Sequence, residues 1–350
     1  MDVDWKSVKR VLLVRLRSIG DTVLSTPSLI ALKRFLPHGQ VDILLEDWVA
    51  PILDGFDAVD EVLTVRSGIA SRIAAAREIR RRKYDVVFNI HGGTTATFFT
   101  AVSGAMHRVG YANYQYAFLY NHLLSSPSDF WKREATHSAE QQLALLGFIG
   151  VPVDDRPKSR LAITDEANRL LDLKLSGAGS GSIDRGEPFA IIHPIAASKT
   201  KEWDLEKFAR TAEFLETKGI ATIAVGAASE EARLSELVTL SSTPMHTVTS
   251  LSLPELTALA ARARLFVGND SGVAHIAAAI KTPIVVIFGS SNRDHWRPWT
   301  DSPNEVVFES MPCQPCPGYE CKEFGEPRCI QTLGIEKVFT AIDRVLHASS

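Results

Sequence analysis

Short apolar runs alternate with amphipathic segments along most of the chain. The runs are dominated by β-branched and aliphatic residues and lie at 8–16, 41–45, 61–65, 84–90, 189–193, 221–225, 265–267 and 284–288. Continuous apolar runs of this kind are typical of strands buried on both faces of a parallel sheet. The segments between them place apolar residues at helical spacing, at 22–36, 69–82, 139–146, 204–218, 230–240 and 334–347. The alternation predicts an α/β fold built from doubly wound parallel sheets.

The length of the chain and a change in composition near its middle predict two domains. At 350 residues the chain exceeds the size at which one core usually keeps growing. Glycine, serine and charged residues replace core residues at 175–186. We therefore predict a first domain over 1–175, a second over 187–333, and a final helix within 334–350.

The charge balance of the chain argues against a nucleic-acid partner. The chain is 45% hydrophobic and 23% charged, with a formal net charge of −3, which gives no sign of nucleic-acid binding. No apolar run reaches 18 residues and the first residues lack a basic then apolar pattern, so we expect a cytoplasmic location. The basic cluster at 80–83 is either a solvated helix face or a contact for an anionic membrane surface.

The stretch from Leu265 to Gly289 reads as strand, turn, helix and strand. The first N–H groups of a helix that begins near Ser271 would lack partners inside it, which makes an anion site. Gly268 and Gly272 would let the backbone approach a phosphate, and Asp270 and His275 could bond a sugar hydroxyl. Alternatively, Asp270 or Ser271 only caps the helix and His275 packs on its buried face.

Four pieces of the sequence, in this order, resemble the glycosyltransferase family 9 heptosyltransferases of lipopolysaccharide core synthesis. They are residues 15–27 (RLRSIGDTVLSTP), His193 to Trp203, the turn 268–272 with His275, and the cysteine segment from Cys313 to Cys329. The resemblance implies a glycosyltransferase B-type fold, with two Rossmann-like domains facing across a cleft. It places the acceptor on the first domain and ADP-heptose on the second, with the last helix crossing back to the first domain.

The resemblance implies that Asp21 is the general base that deprotonates the acceptor hydroxyl. This residue follows the first strand, where open α/β sheets bind ligands; the alternative role is a helix N-cap. Arg15 and Arg17 flank the same position and either pair with an acidic acceptor or are surface charges. Ser18, Gly20 and His91 complete the acceptor-side set that the resemblance implies.

On the donor side, Lys201 matches the family's phosphate-contacting lysine by its Lys-x-Trp context, with Lys199 close by; the alternative is a solvated lysine. A cation here would stabilise the departing diphosphate without a metal. The other implied donor contacts are Ser198, Gly226, Asp270, Ser271, Gly272 and His275. Two departures from the family weaken individual contacts: Ala196 and Ala197 precede the lone hydroxyl of Ser198, and Ala228 stands where an acidic residue is common.

The four cysteines lie together near the end of the chain, at Cys313, Cys316, Cys321 and Cys329. The first pair has zinc-ligand spacing, so a structural zinc is one interpretation, and packed free thiols are the other, since the later gaps fit no common template. Neither a paired-carboxylate Asp-x-Asp nor a His-Glu-x-x-His motif occurs. We therefore expect catalysis to require no metal or other cofactor.

The resemblance implies an inverting transferase that moves L-glycero-D-manno-heptose from ADP-heptose to the lipopolysaccharide inner core. The acceptor would be lipid A–Kdo or a core oligosaccharide, and the residue modified is either Kdo or the first heptose. The enzyme would work at the cytoplasmic face of the inner membrane, with peripheral membrane contact. The alternatives are a family 9 transferase with another nucleotide sugar and a non-transferring nucleotide-binding protein, such as a sugar-nucleotide epimerase. A dehydrogenase is disfavoured because no G-x-G-x-x-G motif follows the first strand.

Overall fold

The computed structural model describes residues 2–177, 187–316 and 318–349, and the chain divides into two compact units at residues 1–162 and 163–350. Each unit contains one six-stranded parallel sheet. The predicted fold class is confirmed. The unit boundary differs from the predicted one because residues 165–177 form a helix that packs in the second unit against the helix at 253–262.

The first sheet has the strand order β3-β2-β1-β4-β5-β6, with every pair parallel. Its strands are β1 (Arg10–Leu16), β2 (Gln40–Glu46), β3 (Glu61–Val65), β4 (Val86–Asn89), β5 (His107–Tyr111) and β6 (His122–Leu124). The helices of this unit are α1 (Ile19–Val23), α2 (Thr26–Phe35), α3 (Ile69–Arg82), α4 (Gly93–Val102), α5 (Pro127–Trp131) and α6 (Ser138–Phe148). Strand β1 is central, and the apolar residues of this strand are buried, as its composition requires.

The helical segment predicted over 22–36 is interrupted. Helix α1 ends at Val23 and α2 begins at Thr26, with Pro27 in its first turn, where a proline costs no hydrogen bond. The Thr26 hydroxyl bonds the carbonyl of Val23 and the Ser25 hydroxyl bonds that of Thr22, so side chains compete for the backbone at the break. The chain therefore begins a second helix here instead of continuing the first.

Two of the four residues in the basic cluster at 80–83, Arg81 and Arg82, pair with acidic residues. Arg82 lies 2.5 Å from Glu61, 2.7 Å from Glu78 and 3.3 Å from the fully buried Asp42. Arg81 also pairs with Glu78, at 2.6 Å. These pairs favour the structural interpretation of the cluster over a membrane contact. Among the described residues, no helix is long and apolar enough to cross a bilayer.

The second sheet has the order β12-β11-β10-β7-β8-β9 and is also entirely parallel. Its strands are β7 (Phe189–His193), β8 (Ala221–Val225), β9 (His246–Val248), β10 (Leu265–Asn269), β11 (Ile284–Phe288) and β12 (Asn304–Phe308). The helices are α7 (Asp165–Gly177), α8 (Leu205–Glu216), α9 (Glu231–Leu240), α10 (Leu253–Arg262), α11 (Gly272–Ala279), α12 (Arg293–Trp296), α13 (Arg328–Gln331) and α14 (Ile335–Ala348). The elements that sequence analysis missed include α4, α5, α7, α12, α13, β9 and β12.

The last helix belongs to the second unit. Helix α14 packs against β11, β12 and α8, and its buried residues Val338, Ala341, Ile342 and Val345 join the core of that unit. The apolar face of α14 is therefore buried in the second unit. The expectation that this helix also crosses back to the first domain stays a prediction.

Candidate active site

In each sheet the order of strand addition reverses next to the first strand, so that later strands are added on its other side. Strands β2 and β3 lie on one side of β1 and strands β4 to β6 on the other, and the second sheet repeats this arrangement around β7 and β10. Ligands of open α/β sheets bind beyond the carboxyl ends of the strands at such switch points. The residues predicted from the sequence lie at these ends: Arg15 to Asp21 after β1, His91 after β4, and Asp270 to His275 after β10.

Asp21 is held by two neighbours in the first unit. The strand register shifts between Val14 and Leu16, which marks a bulge at Arg15. The buried Arg15 guanidinium donates to the carbonyl of Ile90 at 2.7 Å and forms an ion pair with Oδ1 of Asp21. The Ser18 hydroxyl donates to Oδ2 at 3.0 Å. Ser18, not Asp21, stands at the N-cap position of α1, so the N-cap alternative for Asp21 is wrong.

His91 lies in the same cluster, and its own side chain is neutral at neutral pH. The backbone N–H groups of His91 and Gly92 both donate to the Asn89 side-chain oxygen, which fixes the turn after β4. Burial, and next the positive charge of Arg15, lower the pKa of His91 to about 4. Its Nδ1 atom is buried and has no hydrogen-bond partner among the described residues. At neutral pH this imidazole can bond a sugar hydroxyl but carries no positive charge.

A cavity of about 450 Å³ opens beside this cluster, entirely within the first unit. Its lining combines acidic, basic, hydroxyl and aromatic groups, from Leu16, Arg17, Glu46, Asp47, Trp48, Val65, Arg66, Ser67, Arg72, His91, Gly92, Gly93, Thr94 and Thr95. Arg17 and His91 are therefore brought to one cavity, whereas Gly20 is buried within α1. This volume is sufficient for one or two sugar rings.

In the second unit, Lys201 and Asp270 form an ion pair at 2.8 Å. Asp270 also accepts a hydrogen bond from Ser291 at 2.6 Å, so its carboxylate orients the lysine from the end of β10. Lys199, two residues away, is exposed and forms no ion pair within the described part of the chain. The two lysines that the sequence placed together in the donor set therefore differ: Lys201 is held by an ion pair and Lys199 is exposed.

The loop that carries Lys201 is fixed by contacts with the end of β11. The Thr200 hydroxyl bonds Ser198 and Ser290, both at 2.9 Å, and its carbonyl accepts from the Ser290 N–H at 3.2 Å. A Cβ atom at Gly289 would lie 2.1 Å from the Thr200 carbonyl oxygen, so only glycine permits this approach. Sequence analysis missed Thr200 and Ser290 because isolated hydroxyl residues carry no pattern.

Helix α11 begins at the carboxyl end of β10 with Ser271 at its N-cap position. The Ser271 side chain does not cap the helix; it lies 3.2 Å from Nδ1 of His193. Burial lowers the pKa of His193 to about 4. His275 is buried within the helix, and Gly272 is its first residue. The capping alternative for Ser271 is therefore not realised, and the helix start faces the side of the sheet where Lys201 lies.

The loop after β8 carries the predicted donor contact Gly226. Gly226 follows β8, where the Glu230 carboxylate accepts from the N–H of Ala227 at 2.7 Å. This glutamate is a nearby acidic group in a loop where Ala228 departs from the family pattern.

The cysteine segment packs against the loop that carries Lys201 and against the end of β11. Gln314 donates to the carbonyl of Gly289 at 2.7 Å, the Cys316 N–H to that of Ser290 at 2.9 Å, and the Ser198 hydroxyl to that of Tyr319 at 2.8 Å. All four cysteines are free thiols, and burial raises the pKa of Cys316 and Cys329. No group of three or more histidine, cysteine or acidic residues within the described residues is arranged to hold a metal ion.

Comparison with known proteins bears on the family. The profile of "Glycosyltransferase family 9 (heptosyltransferase)" matches residues 72–325. Lipopolysaccharide heptosyltransferase 3 of Escherichia coli is 26% identical, over 96% of this chain and 98% of that protein. A family 9 glycosyl transferase from Veillonella parvula superposes with a TM-score of 0.83 at 21% identity, over 99% of both chains. The E. coli ADP-heptose lipopolysaccharide heptosyltransferase II gives 0.78 at 18%, over 97% and 98%. Since the profile covers most of its length, the chain belongs to glycosyltransferase family 9, the heptosyltransferases.

Proposed function

We propose that this enzyme transfers heptose from ADP-heptose to a sugar of the lipopolysaccharide core, with inversion at the anomeric carbon. The observation that carries the proposal is the Asp21 carboxylate, held by Arg15 and Ser18 beyond the end of β1. Membership of the family supplies the reaction class, and the names of the two E. coli relatives support the donor and the acceptor.

In the proposed reaction Asp21 is the general base. Each carboxylate oxygen already has one partner, but each has a second lone pair that can accept the proton of an acceptor hydroxyl. The acceptor oxygen would attack the anomeric carbon as the bond to the diphosphate breaks, and the proton would pass to Asp21. One direct displacement inverts the configuration at that carbon.

On the donor side, Lys201 would stabilise the charge that develops on the departing ADP. Asp270 holds the lysine in place before the donor arrives, and the start of α11 adds N–H groups of the same polarity. Ser198, Gly272 and His275 would support this site, and Gly226 would lie near the nucleoside. Lys199 is exposed and contributes less.

A transfer assay with ADP-heptose and defined core acceptors tests the base. Asp21→Asn should lower kcat by roughly 100- to 10,000-fold, the usual contribution of general base catalysis. Ser18→Ala, which removes one hydrogen bond to the same carboxylate, should cost only about tenfold. Near-normal turnover in a folded Asp21→Asn enzyme would remove Asp21 from this role.

A matched pair of lysine variants tests the donor site. Lys201→Ala should weaken ADP binding and lower kcat/KM, whereas Lys199→Ala should leave both nearly unchanged. An equal effect of the two substitutions would show that the ion pair with Asp270 has no bearing on the donor.

A thermal-shift panel decides the donor nucleotide. ADP at 100 times its Kd should stabilise the protein by about 2.7 kcal/mol, and UDP or GDP should not. Stabilisation by UDP or GDP instead would favour the alternative, a family 9 transferase with another nucleotide sugar. Kdo and the first heptose, on lipid A–Kdo and on a core oligosaccharide, are the acceptors to compare. We place the reaction at the cytoplasmic face of the inner membrane, where a lipid-linked acceptor would present its core.

A further inference from the structure

The loop after β11 holds Lys201 from two sides. Ser290 bonds Thr200, with 2.9 Å between their hydroxyl oxygens and 3.2 Å from its N–H to the Thr200 carbonyl. The next residue, Ser291, donates from its hydroxyl to Oδ2 of Asp270 at 2.6 Å. Lys201 donates to that same carboxylate oxygen at 2.8 Å. Thr200 and Lys201 are consecutive, as are the two serines, so these bonds close a ring within the second unit.

The ion pair between Lys201 and Asp270 does not by itself fix the direction of either side chain. The terminal torsion of an aspartate is soft, so the carboxylate can turn and exchange its two oxygens. Lysine carries its charge on a flexible four-carbon stem, and the ammonium would follow the oxygen to which it is bonded. The pair alone therefore sets a distance but not an orientation.

Ser291 supplies the missing restraint. Only one rotatable bond separates its hydroxyl oxygen from the backbone, and the residue is 9% exposed. The loop is held before Ser291 by the Cys316 N–H, which donates to the Ser290 carbonyl at 2.9 Å. It is held after Ser291 by the Asn292 side chain, which accepts from the His295 N–H at 3.2 Å. A hydroxyl anchored in this way keeps the carboxylate from turning.

We propose that Ser291 is a positioning residue for cleavage of the donor. Its hydroxyl fixes the Asp270 carboxylate, and the carboxylate in turn directs the Lys201 ammonium. The remaining N–H groups of the ammonium can then meet the charge on the departing diphosphate without reorganisation, the condition under which a charged group lowers a barrier most. The inference rests on the proposed function, because it takes Lys201 to act on departing ADP.

The test begins with transfer assays that use ADP-heptose and a core oligosaccharide. Ser291→Ala should lower kcat roughly 10- to 100-fold, the rate equivalent of one hydrogen bond to a charged group. The Kd of ADP, measured by calorimetry, should stay within about threefold, because the attraction between ammonium and diphosphate depends on distance more than on direction. Ser291→Thr keeps the hydroxyl and should recover most of the loss in kcat.

A double variant separates positioning from a general structural role. On a Lys201→Ala background, Ser291→Ala should lower kcat by less than about twofold more, since the ammonium that it directs is gone. Ser103→Ala is the matched control: this serine is 2% exposed and donates to the Thr100 carbonyl at 2.6 Å in the first unit. Its kcat should stay within about twofold of wild type. A loss from Ser291→Ala that is equally large with and without Lys201, or no loss at all, would overturn the proposal.

Crystal structures of the wild-type protein and of Ser291→Ala without ADP distinguish this proposal from the proposed function. If no donor is turned over but Asp270 and Lys201 change rotamer in the variant, the transfer proposal fails and the positioning role of Ser291 stands. If both side chains keep their wild-type rotamers in the variant, the positioning role is refuted whatever the turnover.

Discussion

Replacement of Gly289 by alanine should disturb the donor site without changing any group that touches the donor. The new Cβ atom would lie 2.1 Å from the Thr200 carbonyl oxygen and 3.2 Å from Ile330. An ordinary contact would require the loop before Lys201 to move by roughly 1 Å. A misplacement of this size can lower catalytic efficiency about 100-fold.

The same substitution should destabilise the protein. Forcing an extra methyl group into a packed region costs about 1–3 kcal/mol. For a unit of this size, the melting temperature should fall by roughly 3–10 °C. Calorimetry gives the melting temperature, and the ADP-heptose dependence of transfer gives kcat/KM.

Gly318→Ala is the control, because no atom lies within 4 Å of a Cβ built at that position. It should unfold within about 1 °C of wild type, since surface substitutions have little effect on stability. If Gly289→Ala matches the control in both melting temperature and kcat/KM, the loop after β7 tolerates displacement. The reasoning that ties Lys201 to the end of β11 would then be wrong.

Three other predictions concern stability and can be read from urea unfolding. Arg82→Ala leaves the buried Asp42 with less compensation and should cost about 3 kcal/mol, while Arg81→Ala, on an exposed pair, should cost less than about 0.5 kcal/mol; similar losses would contradict the assigned pairing. Because the pKa of His193 is lowered from 6.5 to about 4, the unfolded chain binds a proton that the folded chain does not. The free energy of unfolding should therefore fall between pH 6.5 and 4 by up to about 3 kcal/mol from this group, and an unchanged slope in His193→Asn would count against it. Tyr120→Phe removes the hydrogen-bond acceptor of the buried Asn89 amide and should lower the free energy of unfolding by about 1–3 kcal/mol. A variant as stable as wild type would show that the amide finds another partner.

Much of the sheet architecture was predictable because buried parallel strands carry a strong local signal. The runs that became β1, β7 and β11 are short, apolar and β-branched, and the structure places strands at each of them. Helix α4 was missed because its sequence, GTTATFFTAV, is rich in threonine and has weak helix propensity, so packing on β1 and β4 sets its conformation. Helix α7 has a clear amphipathic pattern but adjoins the glycine-rich linker, which drew the predicted boundary past it.

The site divides in the same way. Asp21, Lys201 and Asp270 could be found because their motifs are local. The ion pairs among these residues could not be predicted, since Arg15 and Asp21 meet through a strand bulge, and Lys201 and Asp270 meet through the pairing of β7 with β10. Trp48 carried no signal in the sequence, because its exposure depends on where the turn after β2 lies. All of the roles assigned to these residues stay predictions until the variants are measured.

The central position of β1 has a consequence for synthesis of the chain. This strand leaves the ribosome before the other strands of its sheet, and its partner β2 follows within some tens of residues. Its other edge, however, stays unpaired until β4 emerges roughly 70 residues later, which at 5–20 residues per second takes about 4–15 s. The same delay recurs between β7 and β10. Each half of the nascent protein thus exposes an apolar edge for seconds, a period in which chaperones that shield unpaired strands would have their largest effect on yield.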